Sequence, residues 1–157
     1  MRGKVAVTLA GLAYLLAWFL PSVYLPNLEP WSADRLIVPG WEATRAALSP
    51  IWPSDASVGG SLRAVLAVAS GLSNLLFLAA IVLAVWRPGS VPRWLPWTVG
   101  GAALLNAHWL IGDSGFRSSL SSGYYLWLAS FALLALALLW TREGRAQVAP
   151  PRPNARR

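Results

Sequence analysis

The sequence offers little material for catalysis, and the scarcest residue types show this most directly. His108 is the only histidine, Met1 is the only methionine, and there is no cysteine. Disulfides, thiolate metal sites, cysteine nucleophiles and haem ligation by a pair of side chains are therefore excluded. Acid–base chemistry by His108 with Asp113 would need the two close together, but their spacing puts them about 140° apart on a continuous helix. No HxxxH or HExxH motif occurs, so we predict no catalytic residue, no metal and no cofactor.

Polar side chains inside apolar segments are the other candidates for function. Asn74 follows Ser70 by four residues and so shares a helix face with it, and Asn106 has the same relation to Ala102. Because such groups are costly in lipid, they either form hydrogen bonds between helices or bind a ligand. Interhelical bonding is the simpler interpretation. The alternative is a binding site for an apolar or lipid-like molecule, formed by Asn74, Asn106, His108, Tyr124 and Trp41.

Hydropathy predicts the elements that would position these residues. Hydrophobic residues make up 56% of the 157 residues and charged residues 12%, whereas soluble domains have about 25% charged residues. Uncharged apolar runs, long enough to cross a bilayer as helices, occupy the ranges 5–25, 64–86, 94–112 and 120–140. We therefore predict an all-α membrane protein, with four transmembrane helices bundled in a single domain of residues 1–140.

The distribution of charge predicts the orientation of such a bundle. The termini and the 87–93 loop would share one side, with nine basic residues and one acidic residue, against four basic and five acidic residues on the other side. Because basic residues stay cytoplasmic, both termini are expected inside, and loop 26–61 is expected in the periplasm or outside the cell. Tryptophans are expected to form an aromatic belt on the cytoplasmic side: Trp86, Trp94, Trp97 and Trp140. Topology thus accounts for the net charge of +7, and no nucleic-acid partner is expected.

The predicted outer loop, 26–61, is rich in proline and tryptophan. Within it, WEATRAAL (41–48) lies between the breakers Pro39-Gly40 and Ser49-Pro50, which predicts a short helix. Tryptophans would hold this interfacial helix at the membrane surface: Trp31, Trp41 and Trp52. The segment 141–157 is polar, basic and contains proline, so we predict a disordered cytoplasmic tail whose arginines set the topology and could contact anionic lipids.

Two segments carry a resemblance to known proteins. GYYLWLASFALLALAL (123–138) and PGWEATRAALSPIWP (39–53) are similar to segments of small, uncharacterised bacterial membrane proteins with four helices. The resemblance implies that architecture and a place in the bacterial inner membrane, and it implies no activity. A composition rich in alanine, leucine and arginine, with Lys4 as the only lysine, is typical of a G+C-rich bacterial genome.

Three functions are compatible with these patterns. The first is a non-enzymatic accessory or structural membrane protein, which acts through helix packing and its outer loop. The second is a small binding protein or carrier for an apolar or lipid-like molecule. The third is a lipid-modifying membrane enzyme that uses His108 and Asp113. The expected partners are membrane lipids, together with another membrane protein or a second copy of the chain.

Overall fold

The structure, a computed structural model, describes residues 2–26, 35–51, 61–87, 90–111 and 117–146. The elements, in chain order, are α1 (Arg2–Phe19), β1 (Pro21–Pro26), β2 (Arg35–Pro39), α2 (Gly40–Leu48), α3 (Ser61–Trp86), α4 (Leu95–Asn106) and α5 (Ser122–Ala146). Short 3-10 turns follow two of the helices, at Ser49–Ile51 after α2 and at Ala107–Leu110 after α4.

The predicted bundle of four membrane-spanning helices is wrong. In the described residues, two helices are long and apolar enough to cross a membrane, Leu62–Trp86 in α3 and Ser122–Thr141 in α5. A helix needs about 20 residues to cross a hydrocarbon core of roughly 30 Å. The apolar part of α1, Gly3–Phe19, is shorter than this, and α4 has 12 residues.

The first predicted span is too long because its last third forms a strand. The α1 helix ends at Phe19, and Pro21, whose ring cannot continue a helix, begins β1. β1 pairs with β2 in an antiparallel hairpin, in which Val23 lies opposite Val38. Valine, isoleucine and tyrosine favour strands as well as apolar spans, so hydropathy alone merged two elements. The all-α prediction missed this hairpin.

The third predicted span, 94–112, is also interrupted. Its α-helical hydrogen bonding stops at Asn106, and the chain tightens into the 3-10 turn Ala107–Leu110. The amide of Ile111 then donates to the carbonyl of His108, at 3.0 Å. The rest of this span and Asp113 lie outside the described residues.

Two further predicted segments, the short helix 41–48 and the tail 141–157, lie partly or wholly in the described residues. The predicted helix WEATRAAL forms as α2 and ends at Leu48, and its position at a membrane surface stays a prediction. Trp31 and Trp52 lie outside the described residues. α5 continues to Ala146, so the segment predicted as a disordered tail begins as helix, and residues 147–157 lie outside the described part.

The hairpin also fixes the start of α5. Val23 forms a bridge with Leu120, and the amide of Ser121 donates to the carbonyl of Ser22 at 2.9 Å. α5 then packs so closely that a Cβ at Gly123 would lie 2.6 Å from the carbonyl oxygen of Pro21. Only glycine allows this approach. Because the contact is at the first turn of α5, it determines where the next residue, Tyr124, is placed.

The helices meet around a cluster of aromatic rings. Tyr14 of α1 stacks on Phe77 of α3, with ring centroids 4.2 Å apart, and Phe77 lies 4.7 Å from Phe131 of α5. α1 makes its most extensive contact with α5 and runs antiparallel to it, since Gly3 contacts Thr141. The aromatic cluster thus connects α1, α3 and α5.

The outward faces of the helices are apolar as well. Buried residues make up 39% of the best apolar window of α3 and 44% of that of α5. A helix of a soluble protein carries polar residues on its outward face. Here large aliphatic side chains point outward instead, among them Leu12, Leu16, Leu72, Leu75, Val82 and Leu136. This pattern is typical of helices in contact with lipid or with another protein.

Candidate functional site

A cavity of about 260 Å³ lies between the end of α1, the hairpin, α2, α3 and the start of α5. Its wall is mostly apolar, and none of its lining residues is charged. The lining residues are Ala17, Trp18, Ser22, Val23, Val38, Gly40, Ala43, Thr44, Ala46, Ala47, Ala67, Ser70, Gly71, Asn74, Trp109, Leu120, Tyr124 and Trp127. Pockets for small molecules are commonly apolar with a few polar groups, which makes this cavity the candidate site.

The α2 helix closes one side of the cavity and is held at both of its ends. At its start, the amide of Gly40 donates to the carbonyl of Leu20 at 3.3 Å, and a Cβ at Gly40 would collide with the carbonyl oxygen of Ala17. At its end, Leu48 packs on Gly71 of α3, where a Cβ would lie 2.7 Å from the leucine side chain. Between these contacts α2 presents alanines to the cavity, and their short side chains leave the space unfilled.

Asn74 forms the polar side of the cavity and links three helices. Its Oδ1 accepts hydrogen bonds from the hydroxyl of Tyr14, at 3.0 Å, and from Nε1 of Trp127, at 2.8 Å. Its Nδ2 donates to the carbonyl of Gly71, at 3.1 Å. Because these contacts come from α1, α3 and α5, Asn74 fixes the positions of the three helices relative to each other.

Asn106 lies behind the cavity wall and is fully buried. Its Oδ1 accepts a hydrogen bond from the hydroxyl of Ser70, at 2.9 Å, and its Nδ2 donates to the hydroxyl of Ser73, at 3.0 Å. The hydroxyl of Tyr124 donates to its backbone carbonyl, at 2.8 Å. Both asparagines thus form the interhelical hydrogen bonds that the sequence suggested.

The structure brings part of the predicted binding site together. Asn74 and Tyr124 line the cavity, whereas Asn106 contacts it through the lining residues Ser70 and Tyr124. His108 is not among the lining residues, and its Nδ1 contacts the carbonyl of its own helix neighbour Leu105. Trp41 is exposed on α2 and also lies outside the lining. Whether any of these residues binds a ligand stays a prediction.

Three tryptophans of the cavity wall were missed by the sequence reasoning. They are Trp18, Trp109 and Trp127. A signal existed for two of them, because Trp18 follows Tyr14 by four residues and Trp127 follows Tyr124 by three, which places each pair on one helix face. Other tryptophans, such as Trp86 and Trp97, are interpreted as interfacial anchors, and no pattern in the sequence separates such anchors from tryptophans that line a cavity.

Trp18 differs from the other two in its hydrogen bonding. Its Nε1 is buried and has no hydrogen-bond partner among the described residues. Its ring lies beside that of Tyr14, with ring centroids 6.0 Å apart, and the hydroxyl oxygen of Tyr14, which donates to Asn74, keeps lone pairs that interact with this N–H. An unpaired buried donor costs about 1–3 kcal/mol, and this N–H is shielded from the cavity as well as from solvent.

The described residues contain no group of three or more His, Cys, Asp or Glu side chains that could hold a metal ion. Asp113 lies outside the described residues, so the pairing of His108 with Asp113 stays untested. Within the described residues the lining thus has hydrogen-bonding groups and apolar surface, and it has no charged group for acid–base chemistry.

Comparison with known proteins yields no assignment. No protein-family model, no curated protein and no solved structure matches this chain. The resemblance to small bacterial membrane proteins therefore stays a prediction, and function has to be inferred from the cavity itself.

Proposed function

We propose that this protein is a membrane-associated binding protein for a small, neutral, largely apolar molecule, which occupies the cavity between α1, α2, α3, α5 and the hairpin. The observation that carries the proposal is the cavity of about 260 Å³ with an apolar wall and one polar side. Of the three functions compatible with the sequence, this is the binding or carrier function. An accessory role for the outer surfaces stays a prediction, and lipid alone accounts for their exposed apolar residues.

The volume of the cavity indicates the size of the ligand. An apolar protein cavity of roughly 150 Å³ holds benzene, so a cavity of about 260 Å³ suits a molecule somewhat larger than one aromatic ring. Charged ligands are disfavoured, because burial of an unpaired charge costs far more than a hydrogen bond returns. The lining has no charged side chain that could compensate for it.

Three features support a location in a membrane. Two helices have the length and composition to cross one, and their outward faces are apolar. The third feature is an end of the molecule, here called the basic end, that carries exposed Lys4, Arg87 and Arg93. Exposed tryptophans surround this end in the manner of an aromatic belt: Trp86, Trp94, Trp97 and Trp140. We propose that the basic end faces the cytoplasm of a bacterial cell and that the hairpin and α2 face outward.

Ligand binding is tested by closing the cavity with one substitution. Ala67 is buried in the cavity wall, and Ala67→Leu would fill part of the space. We expect acetophenone, a neutral ring with one carbonyl group, to stabilise the wild-type protein by about 1.4 kcal/mol at ten times its Kd. This corresponds to a rise in Tm of about 3–6 °C. In Ala67→Leu the rise should disappear.

The matched control is Ala79→Leu, on the same helix but on its exposed face. It should respond to acetophenone as the wild type does, which separates binding in the cavity from partition of the probe into detergent. An unchanged response in Ala67→Leu would place the bound molecule elsewhere, and no saturable response in the wild type would overturn the proposed function.

A further inference from the structure

We propose that Ser22 is the hydrogen-bonding contact of this cavity, and that the bound molecule carries a neutral oxygen, in a carbonyl or hydroxyl group, that pairs with the Ser22 hydroxyl. This inference rests on the proposed binding function and specifies the class of ligand. It assigns a role in specificity to the start of the hairpin, a part of the chain from which no site residue was predicted.

Ser22 lines the cavity because the hairpin is irregular at its start. Pro21 pairs with Pro39, and Val23 pairs with Val38. Ser22 is therefore an extra residue of β1, with no counterpart on β2. Successive side chains of a regular strand point to opposite faces, but Ser22 and Val23 both line the cavity. A bulge of this kind re-aims a side chain and is common next to active sites. Here it adds a hydroxyl to a side of the cavity that the hairpin otherwise forms with valines.

The position of Ser22 is fixed by α5 as well as by the hairpin. Its carbonyl accepts a hydrogen bond from the amide of Ser121, at 2.9 Å. A Cβ at Gly123 would lie 2.8 Å from Oγ of Ser22, so the glycine leaves room for the hydroxyl. Ser22 as a whole is only 5% exposed. The hydroxyl therefore has a defined place beside the first turn of α5 and away from the outer surface.

The hydroxyl of Ser22 has no hydrogen-bond partner among the described residues, and it is not shielded from the cavity. Within the described part of the chain, Nε1 of Trp18 is the only side-chain nitrogen or oxygen that is both inaccessible and without a partner at the usual distance. Oγ of Ser22 therefore keeps accessible surface, and Ser22 borders the cavity. Because buried polar groups are normally paired, this hydroxyl is a group that a ligand can pair.

The other hydroxyls of the lining already donate within the protein. They belong to Thr44, Ser70 and Tyr124, and their acceptors are the backbone carbonyl of Gly40 and the side chain and backbone carbonyl of Asn106. A hydroxyl has one hydrogen to donate. A ligand oxygen that accepted from any of these groups would have to replace an existing hydrogen bond, whereas one that accepted from Ser22 would replace none.

The absence of charge in the lining determines which oxygen is suitable. No cationic side chain lines the cavity, and burial of an unpaired carboxylate or phosphate is costly. A serine hydroxyl both donates and accepts, so it can pair with the neutral oxygen of a ketone, an ester or an alcohol. That oxygen could belong to a small free molecule or to the ester group of a membrane lipid, which share this chemistry.

The test compares two probes of nearly equal shape, acetophenone and α-methylstyrene, in which a C=CH₂ group replaces the C=O group. One net hydrogen bond should make the wild-type protein bind acetophenone about fivefold more tightly. Ser22→Ala removes only the hydroxyl, so the two probes should then bind equally. Ser122→Ala is the matched control, because Ser122 is exposed at the start of α5 and does not line the cavity; it should keep the preference. A preference that survives in Ser22→Ala would overturn the inference.

The infrared carbonyl band of bound acetophenone provides a second measurement, because a hydrogen bond to the oxygen lowers its frequency. The band should lie at lower frequency in the wild type and in Ser122→Ala than in Ser22→Ala. Equal binding of both probes to the wild type, with the same band in all three proteins, would overturn this inference and leave the proposed function in place. Failure of both probes to bind would overturn the proposed function itself.

The source of the oxygen is distinguished by the surrounding lipid. If the ester group of a lipid is the natural occupant, acetophenone should bind the wild type more weakly in nanodiscs of diester phosphatidylcholine than in nanodiscs of its diether analogue, which lacks carbonyl groups. This difference should disappear in Ser22→Ala. If a small free molecule is the occupant, the affinity of the wild type should be the same in both lipids.

Discussion

Asn74 and Trp18 lie at the same cavity and are both polar groups removed from water, but the fold treats them differently. Asn74 makes three hydrogen bonds, two of which connect α3 to α1 and α5. The N–H of Trp18 makes none with the described residues. Buried polar groups are normally paired, so a paired group is explained by the stability of the fold, whereas an unpaired one needs a different explanation. The comparison separates a residue that links the helices around the cavity from one that contributes to the same wall by ring packing.

The largest effect on stability is expected from removal of the Asn74 side chain. Asn74→Leu would leave the hydroxyl of Tyr14 and the N–H of Trp127 buried without an acceptor, so we expect a loss of about 2–4 kcal/mol in the free energy of unfolding. Reversible unfolding in mixed detergent micelles measures it.

A double variant shows whether the unpaired donors cause that loss. Removal of both partners of a buried hydrogen bond is nearly neutral, so Tyr14→Phe in the Asn74→Leu background should recover part of the loss. Strict additivity of the two substitutions would mean that Tyr14 and Asn74 are not coupled.

The next effect concerns the packing of α5 against the hairpin. Gly123→Ala places a Cβ against the carbonyl oxygens of Pro21 and Leu20, so we expect a loss of about 1–3 kcal/mol, as for other overpacked sites. Since Tyr124 is displaced with α5, binding of acetophenone should also weaken.

Gly101→Ala provides a matched control for this substitution. A Cβ at Gly101 has nothing within 4 Å, and alanine is favoured over glycine in a helix by up to about 1 kcal/mol. This variant should unfold at the same or a higher temperature. Equal losses for the two variants would show that the close contact at Gly123 does not exist.

The smallest effect on stability is expected from substitution of Trp18, whose N–H has no hydrogen-bond partner within the usual distance among the described residues. Trp18→Phe loses ring surface but also loses an unpaired donor, so we expect the stability without ligand to stay within about 1 kcal/mol of the wild type. Trp127→Phe loses the same atoms and the hydrogen bond to Asn74, and it should be less stable than Trp18→Phe by about 1–2 kcal/mol. A loss for Trp18→Phe as large as that for Trp127→Phe would show that the N–H of Trp18 is paired.

The helices α2, α3 and α5 were predicted correctly, because each depends on the residues of its own segment. The long apolar helices α3 and α5 were expected from uncharged runs, and α2 from the breakers on both sides of WEATRAAL. The inward direction of Asn74 and Asn106 followed from helical spacing and from the cost of unpaired amides in lipid. These predictions needed no knowledge of what packs against each segment.

The predictions that failed concern segments whose structure depends on a distant partner. Residues 21–26 are apolar enough to extend α1, but they form a strand because residues 35–39 pair with them. For this reason the predicted 5–25 span was wrong, and so was the count of four membrane-spanning helices. The predicted 94–112 span was wrong as well, because α4 ends early, at Asn106. Hydropathy measures the preference for an apolar environment, and strands and helices share it.

The sequence by itself determined that this chain lacks cysteine chemistry and that its long uncharged runs and its breaker-bounded segment form the helices α3, α5 and α2. Only the tertiary structure decided that a cavity exists and that Trp18 borders it. A cavity arises where side chains from remote parts of the chain fail to fill the space between them, here Ala17, Ala43, Ala67 and Tyr124. No periodicity within one segment records such a misfit, because each of these residues is an ordinary member of its own helix.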